Sequence, residues 1–151
     1  MALTKNEEAT LKSIQIASEN DPNNPEFPPD NPKFPATLTY TINVPRFSNV
    51  WFKDESHNPT GTHKDRMAWE MVVTYKQFLL AKKTSQISFL PQMSIITSGS
   101  AGFAIQTQFR KYNLPNLKCL VDVNIKPSIK KALEKIGCEM YEYNLSKKPF
   151  H

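Results

Sequence analysis

The sequence predicts an α/β fold built from parallel β-α-β units, and three observations carry that expectation. Short alternating or apolar runs are separated by longer runs of helical spacing across residues 50–143. The breaks between runs hold residues that stop helices: Thr84-Ser85-Gln86, Asn113-Leu114-Pro115 and Gly137. From residue 93 onward the order is strand, loop, helix, strand, helix, strand, which sets parallel strands side by side with helical, right-handed crossovers.

The elements follow in chain order. Residues 4–19 read as a short helix, because Thr4 and Glu7 have capping-box spacing and Leu11, Ile14 and Ala17 give a thin apolar stripe. Residues 20–36 hold six of the chain's twelve prolines and read as an extended connector, with Phe27 and Phe34 available to pin it to a neighbour. The character changes from Leu38. Val50 to Lys53 reads as a strand, and Asp54 to Gly61 as a loop. Thr62 then caps a helix running to about Ala81, whose core stripe is Ala68, Met71, Val72, Tyr75, Phe78 and Leu79. Trp69, Val73 and Leu80 add apolar surface elsewhere on it, so it should be covered on most sides.

Met93 to Thr97 is a strand, Ser98 to Gly102 a loop, and Phe103 to Tyr112 a helix. Leu117 to Val123 alternates, with Leu117, Cys119, Val121 and Val123 on one face. Pro127 opens the next helix at a favourable first-turn position, and Ile129, Ala132, Leu133 and Ile136 form its buried stripe. Gly137 supplies a left-handed cap, and Cys138 to Tyr143 closes the set. The expected organisation is an N-terminal helix and proline-rich extension (1–36), the start of a larger domain (37–84), a small α/β domain (85–145) and a tail (146–151).

Composition narrows the function classes. A 39% hydrophobic and 11% aromatic chain can bury a core. Neither a membrane-length apolar run nor a secretory leader is present, so the expected location is the cytoplasm, with no membrane partner. Cys119 and Cys138 sit in strand-like runs and read as buried free thiols rather than as metal ligands. The net charge of +5 is spread over short lysine pairs without interleaved aromatics, which is not the footprint of a nucleic-acid binder.

The segment Lys53 to Arg66, KDESHNPTGTHKDR, carries the most chemistry. It reads as a strand end, a polar turn and a helix start, with Lys64 two residues after the expected cap. A helix start is positive, so it disfavours a second positive charge and favours a neutral, nucleophilic amine. Its free N–H groups also suit a phosphate. Lysines near helix starts are ordinarily solvated, and Asp65 could simply offset the charge.

NPTGTHKDR resembles the lysine motif of the fold type II pyridoxal-phosphate-dependent enzymes, written NPTGSFKDR in threonine synthases, and His63-Lys64 resembles the tryptophan synthase β form TGAHK. Ile96 to Gly102, ITSGSAG, is similar to the family's TSGNAG or TSGNTG loop. Pro127 to Tyr143 is similar to its stretch in which a lysine-bearing helix leads into a glycine turn and a strand. The resemblance runs from about Val50 to Tyr143 and also covers serine/threonine dehydratase-like enzymes.

It implies a three-layer, tryptophan synthase β-like fold, here incomplete, and pyridoxal 5′-phosphate as cofactor. Lys64 would form the internal aldimine and act as catalytic base, His63 would lie near the cofactor phosphate, and Ser100 would meet the cofactor ring oxygen, where the family writes Asn. Thr97, Ser98, Gly99, Ser100 and Ala101 would hold the substrate carboxylate. The implied reaction is β-elimination or β/γ-replacement on an amino-acid substrate.

Family members run well beyond this length and carry a glycine-rich phosphate loop in their later half. This chain has four glycines, Gly61, Gly99, Gly102 and Gly137, and none after them. The expectation is therefore a part of such an enzyme, not competent alone, completed by a missing C-terminal half or acting as a homodimer. In that case the helix at 62–81 should show an exposed apolar face. The alternative is a non-catalytic remnant or interaction module that keeps the fold.

Overall fold

The computed structural model describes residues 4–20 and 37–147, with the side chains of residues 15–20 outside that description. The first helix, α1 (Lys5–Asn20), is capped as expected: Glu7 accepts the Thr4 N–H at 2.9 Å, and the Thr4 hydroxyl accepts the Glu7 N–H at 3.3 Å. Leu11 and Ile14 pack half-buried against the core. The expected contribution of Ala17 and the connector at 21–36 lie outside the described residues.

Two strands follow where one was expected. β1 (Thr39–Val44) and β2 (Phe47–Lys53) form an antiparallel hairpin, with Tyr40 opposite Phe52 and Ile42 opposite Val50. Pro45 and Arg46 make the turn, Arg46 at φ 72°, as a proline-led reversal requires. The rings of Tyr40 and Phe52 meet at 5.4 Å.

Helix α2 (Lys64–Lys83) starts two residues after Thr62. His63, not Thr62, is its N-cap and gives no side-chain bond, while the Thr62 hydroxyl takes the Lys64 N–H at 3.1 Å. The displaced cap has a simple cause: a hydroxyl one residue earlier can still serve the first turn's donors. Ala68, Val72, Tyr75 and Phe78 are buried as the stripe predicts, and Met71 and Leu79 are half-buried. Trp69 and Val73 are buried too, because α1 and the next helix flank α2. The exposed apolar face expected on α2 is instead on the hairpin, where Leu38, Phe47 and Trp51 are each about two-thirds exposed.

β3 (Ser94–Ile96), α3 (Ser100–Lys111), β4 (Lys118–Asp122), α4 (Pro127–Lys135) and β5 (Glu139–Tyr143) complete the chain, and the strands form a parallel sheet in the order β3-β4-β5. Helix α3 begins at Ser100, earlier than Phe103, because Gly99 lets the chain turn directly from strand into helix. Leu117, Cys119 and Val121 are buried, but Val123 lies beyond β4 and is exposed. On α4 only Leu133 is fully buried, and Ile129, Ala132 and Ile136 are half-buried. Gly137, at φ 103°, ends α4 with the Cys138 N–H on the Leu133 carbonyl and its own N–H on that of Glu134, each at 3.0 Å, a Schellman closure. Both cysteines are free.

The layers run from the sheet to α3 with α4, then to α2 with α1. Tyr75 and Phe109 bind α2 to α3 at the centre, ring centroids 5.7 Å apart. The sheet face turned from the helices carries Ile96, Tyr141 and Tyr143, all exposed.

Candidate functional site

The lysine loop is held by two polar knots. In the first, the Arg66 guanidinium donates to both Glu55 carboxylate oxygens, at 2.8 and 3.3 Å. Asn58 donates to Glu55 at 2.6 Å and to the Thr62 carbonyl at 3.0 Å, and the Thr37 hydroxyl donates to Glu55 at 2.9 Å. The Arg66 bond, with help from Asn58 and Thr37, holds the Glu55 carboxyl down at about 2. This knot ties the end of β2 to the first turn of α2.

The second knot centres on Asp65, which is fully buried, while Thr60 is half-buried. Asp65 accepts both the Thr60 N–H, at 2.9 Å, and the Thr60 hydroxyl, at 2.8 Å, through one oxygen. Among the described residues its other oxygen has no hydrogen-bond partner, nor does the side-chain oxygen of buried Asn58. Between them Gly61, at φ 77°, donates to the Asn58 carbonyl at 2.8 Å and closes the turn. An acid in the first turn of a helix is also favoured by the helix dipole. Sequence reading took Asp65 for a charge offsetting its neighbour; the structure makes it the peg that sets Thr60.

The second loop is set by Thr97. Its buried hydroxyl accepts the N–H groups of Gly99, at 3.0 Å, and Gly102, at 3.3 Å. Its own N–H goes to the Leu120 carbonyl at 3.0 Å. Among the described residues no acceptor takes the N–H of Ser98, Ser100 or Ala101, so the start of α3 presents three free donors. Gly99 lies directly under α4: a side-chain carbon there would stand 2.8 Å from Ile129 Cγ2.

These loops face each other across a cavity of about 530 Å³. Thr60 and Thr62 line one side, Ser98, Gly99 and Ser100 another, while Phe103, Ile129, Ala132 and Leu133 form an apolar wall that Ser128 interrupts. The structure thus brings together the lysine loop and the Ser/Gly loop, which the sequence places 36 positions apart between Thr62 and Ser98. It does not bring every expected residue to the lining. Lys64 is half-buried two positions beyond Thr62, and no described residue bonds its amine. His63 is exposed, Ala101 half-buried, and Thr97 faces a second cavity of about 370 Å³ shared with Ser98, Asp122 and Lys126. Sequence reading missed Ser128 and the wall from α4, because the helical spacing of Ile129 and Ala132 reads equally well as core.

A cavity bordered by the lysine loop, with unclaimed N–H donors at the start of α3 and an apolar wall, fits a flat aromatic carbonyl compound bearing an anion. It is a chemistry of nucleophile, donors and a ring slot, with no group of three or more potential metal ligands among the described residues.

Comparison with known proteins agrees with this geometry. The family model described as pyridoxal-phosphate dependent enzyme matches residues 35–149. No functionally curated protein matches the sequence. Among solved structures, O-ureido-L-serine synthase is 21% identical, with a TM-score of 0.52 over 76% of this chain and 34% of its own. Cysteine synthase from Entamoeba histolytica is 17% identical, with a TM-score of 0.55 over 76% and 34%. Pyridoxal 5′-phosphate-dependent aspartate racemase is 18% identical, with a TM-score of 0.53 over 98% and 41%. At these identities the likeness shows the fold, the α/β fold of type II enzymes. The chain spans about a third of the length of the first structures it matches. The family's cofactor is pyridoxal 5′-phosphate, and with a match over most of its length this chain belongs to the pyridoxal-phosphate-dependent enzymes.

Proposed function

We propose that the chain forms the lysine-bearing part of an enzyme acting on an amino acid by β-elimination or β/γ-replacement, completed by the remainder of the family fold or by a second copy. The observation that carries this reading is the cavity shared by the lysine loop and the Ser98–Ser100 loop. When bound, pyridoxal phosphate withdraws electrons from an amino acid and makes its α-hydrogen acidic.

The chain's own residues have separable tasks in this reading. Lys64 would hold the cofactor through its amine and, with that amine free, would serve as the base for the substrate α-proton. Its place at the first position of α2 fixes the stem, and the Asp65–Thr60 and Glu55–Arg66 knots fix the turn before it. The free N–H groups of Ser98, Ser100 and Ala101 hold the substrate carboxylate, with the Thr97 hydroxyl stabilising the loop from inside. The Ser100 hydroxyl would be available to the cofactor ring and His63 to its phosphate. Phe103 and Ile129 exclude water from one wall. Two of the neighbouring structures are synthases of amino acids by name, which agrees with an amino-acid substrate. A cytoplasmic location belongs to the same proposal; no described helix is long and apolar enough to cross a membrane.

The test is chemical labelling. The purified chain is mixed with pyridoxal phosphate, reduced with borohydride and digested, and the peptides are weighed. The expected result is a pyridoxyl adduct on the Lys64 peptide well above that on the other lysines, lost in Lys64→Ala. Labelling spread evenly over surface lysines would sink the assignment. Ser100 in the position of the family's Asn favours the second reading, a binding module that keeps the fold without the reaction. Selective labelling without substrate turnover by the completed protein would identify it.

A further inference from the structure

The main cavity has a neighbour, the cavity of about 370 Å³ at the carboxyl ends of β3 and β4. Ser98 and Ile129 are the two residues common to both linings, so the partition between the two spaces is built from them. Ser98 brings an N–H that no described residue accepts. Ile129 brings a half-buried, branched apolar side chain from the first turn of α4. Gly99 shows where that side chain rests. A carbon added to Gly99 would stand 2.8 Å from Ile129 Cγ2 and 3.9 Å from its Cδ1. The isoleucine therefore sits on the loop that bears the unclaimed Ser98 and Ser100 N–H groups. A molecule anchored to those donors by its carboxylate begins at the partition.

Beyond the partition the surface is of a different kind. Ile96, Ile125 and Leu145 line the second cavity. Asp122 lines it too, but one of its oxygens takes the Asn124 N–H at 2.8 Å and the Asn124 side-chain amide at 2.9 Å. Its other oxygen takes the Leu145 N–H at 2.9 Å. The acid is spent on the chain's own donors. Lys126, on the same lining, is exposed, and a lysine so placed keeps its charged end in water. What the second cavity offers a ligand is therefore apolar surface.

We propose that Ile129 is a specificity-determining residue: its side chain closes the carboxylate end of the main cavity against the second, so an arm directed there must be short. The idea rests on the amino-acid reading of the main cavity and adds to it a limit on the amino acid's side chain. Trimming Ile129 joins the two spaces and admits a longer apolar arm. Each further methylene that passes from water to apolar surface is worth about fourfold in affinity, less what is lost in ordering it.

The experiment uses the full chain and two probes, propionate and hexanoate, which share the carboxylate and differ in arm length. Amide shifts are followed by nuclear magnetic resonance in the parent, Ile129→Ala and Ile129→Val. In the parent both acids should move the Ser98 and Ser100 amides and leave those of Asn124 and Ile125 in place. In Ile129→Ala, hexanoate alone should also move Asn124 and Ile125 and bind about five- to tenfold more tightly than to the parent, with propionate within about twofold. Ile129→Val, which keeps Cγ2 and loses Cδ1, should fall between the two. Hexanoate moving Asn124 and Ile125 in the parent, or failing to move them in Ile129→Ala, overturns the proposal and leaves the carboxylate site standing. If neither acid moves the Ser98 and Ser100 amides, the amino-acid reading of the cavity fails with it. Should Ile129→Ala not fold, Ile129→Val still decides: hexanoate shifts identical to those of the parent contradict the proposal.

Discussion

Gly99 offers the sharpest perturbation, because two independent features oppose any side chain there. Its φ of 142° lies where L-residues are strained, which costs about 1–3 kcal/mol. An alanine Cβ would also sit 2.8 Å from Ile129 Cγ2, well inside contact distance, and relieving such overlap in a packed site costs another 1–3 kcal/mol or so. Gly99→Ala should therefore destabilise by about 2–6 kcal/mol, a large part of the 5–15 kcal/mol typical of a domain. Ile129→Ala alone removes a half-buried side chain and should cost about 1–2 kcal/mol, below the range for full burial. The two losses are not independent, since the second removes the atom the first collides with. The double variant should then be less destabilised than the sum by about 1–2 kcal/mol, the backbone strain remaining. Urea denaturation of the four proteins measures this coupling. Strict additivity would refute the collision, and a loss below about 0.5 kcal/mol in Gly99→Ala would refute the strain as well.

Two further outcomes follow from the knots and the core. Glu55 has a folded value of about 2, against 4.5 for an ordinary carboxyl. A depressed carboxylate gives stability that is fully present above the unfolded value and is lost as pH falls from about 4.5 towards 2. Glu55→Gln should flatten that part of the acid-unfolding curve followed by circular dichroism; an unchanged curve would contradict the role given to the Arg66 pair. Phe109 is fully buried at the α2–α3 contact, so Phe109→Ala should cost about 3–5 kcal/mol in urea denaturation. A cost near 1 kcal/mol would mean that the helices do not pack through this ring.

The parts of the fold that could be read from residues are those governed by local rules. The order β3-α3-β4-α4-β5 follows from alternation, Pro127 at a first turn and Gly137 at a helix end, each a local constraint that tertiary packing had no reason to override. The hairpin was half-read because Thr39 to Val44 alternates in the manner of a strand, but Pro45 reads as a breaker unless the turn it builds with Arg46 is recognised. The start of α3 was placed late because Ser98 to Gly102 looks like loop composition, whereas Thr97 takes up donors of that segment and lets the helix begin within it. In the site, the motif pointed to Lys64 and to the Ser98–Ser100 loop. It could not point to Asp65, whose burial is invisible when the same charge beside a lysine would look identical on a wet surface. The same holds for Ser128 and Ile129, which reach the cavity only because α4 crosses above Gly99.

The Thr37–Glu55–Arg66 knot has a mechanical consequence. It fastens the hairpin to the very turn of helix that bears Lys64, and the hairpin's Leu38, Phe47 and Trp51 stand in water. A surface seating on those side chains would press on a lever whose fulcrum is the Glu55 carboxylate. Its short arm is the turn carrying the amine, so contacts formed at the hairpin would transmit to the orientation of that nitrogen.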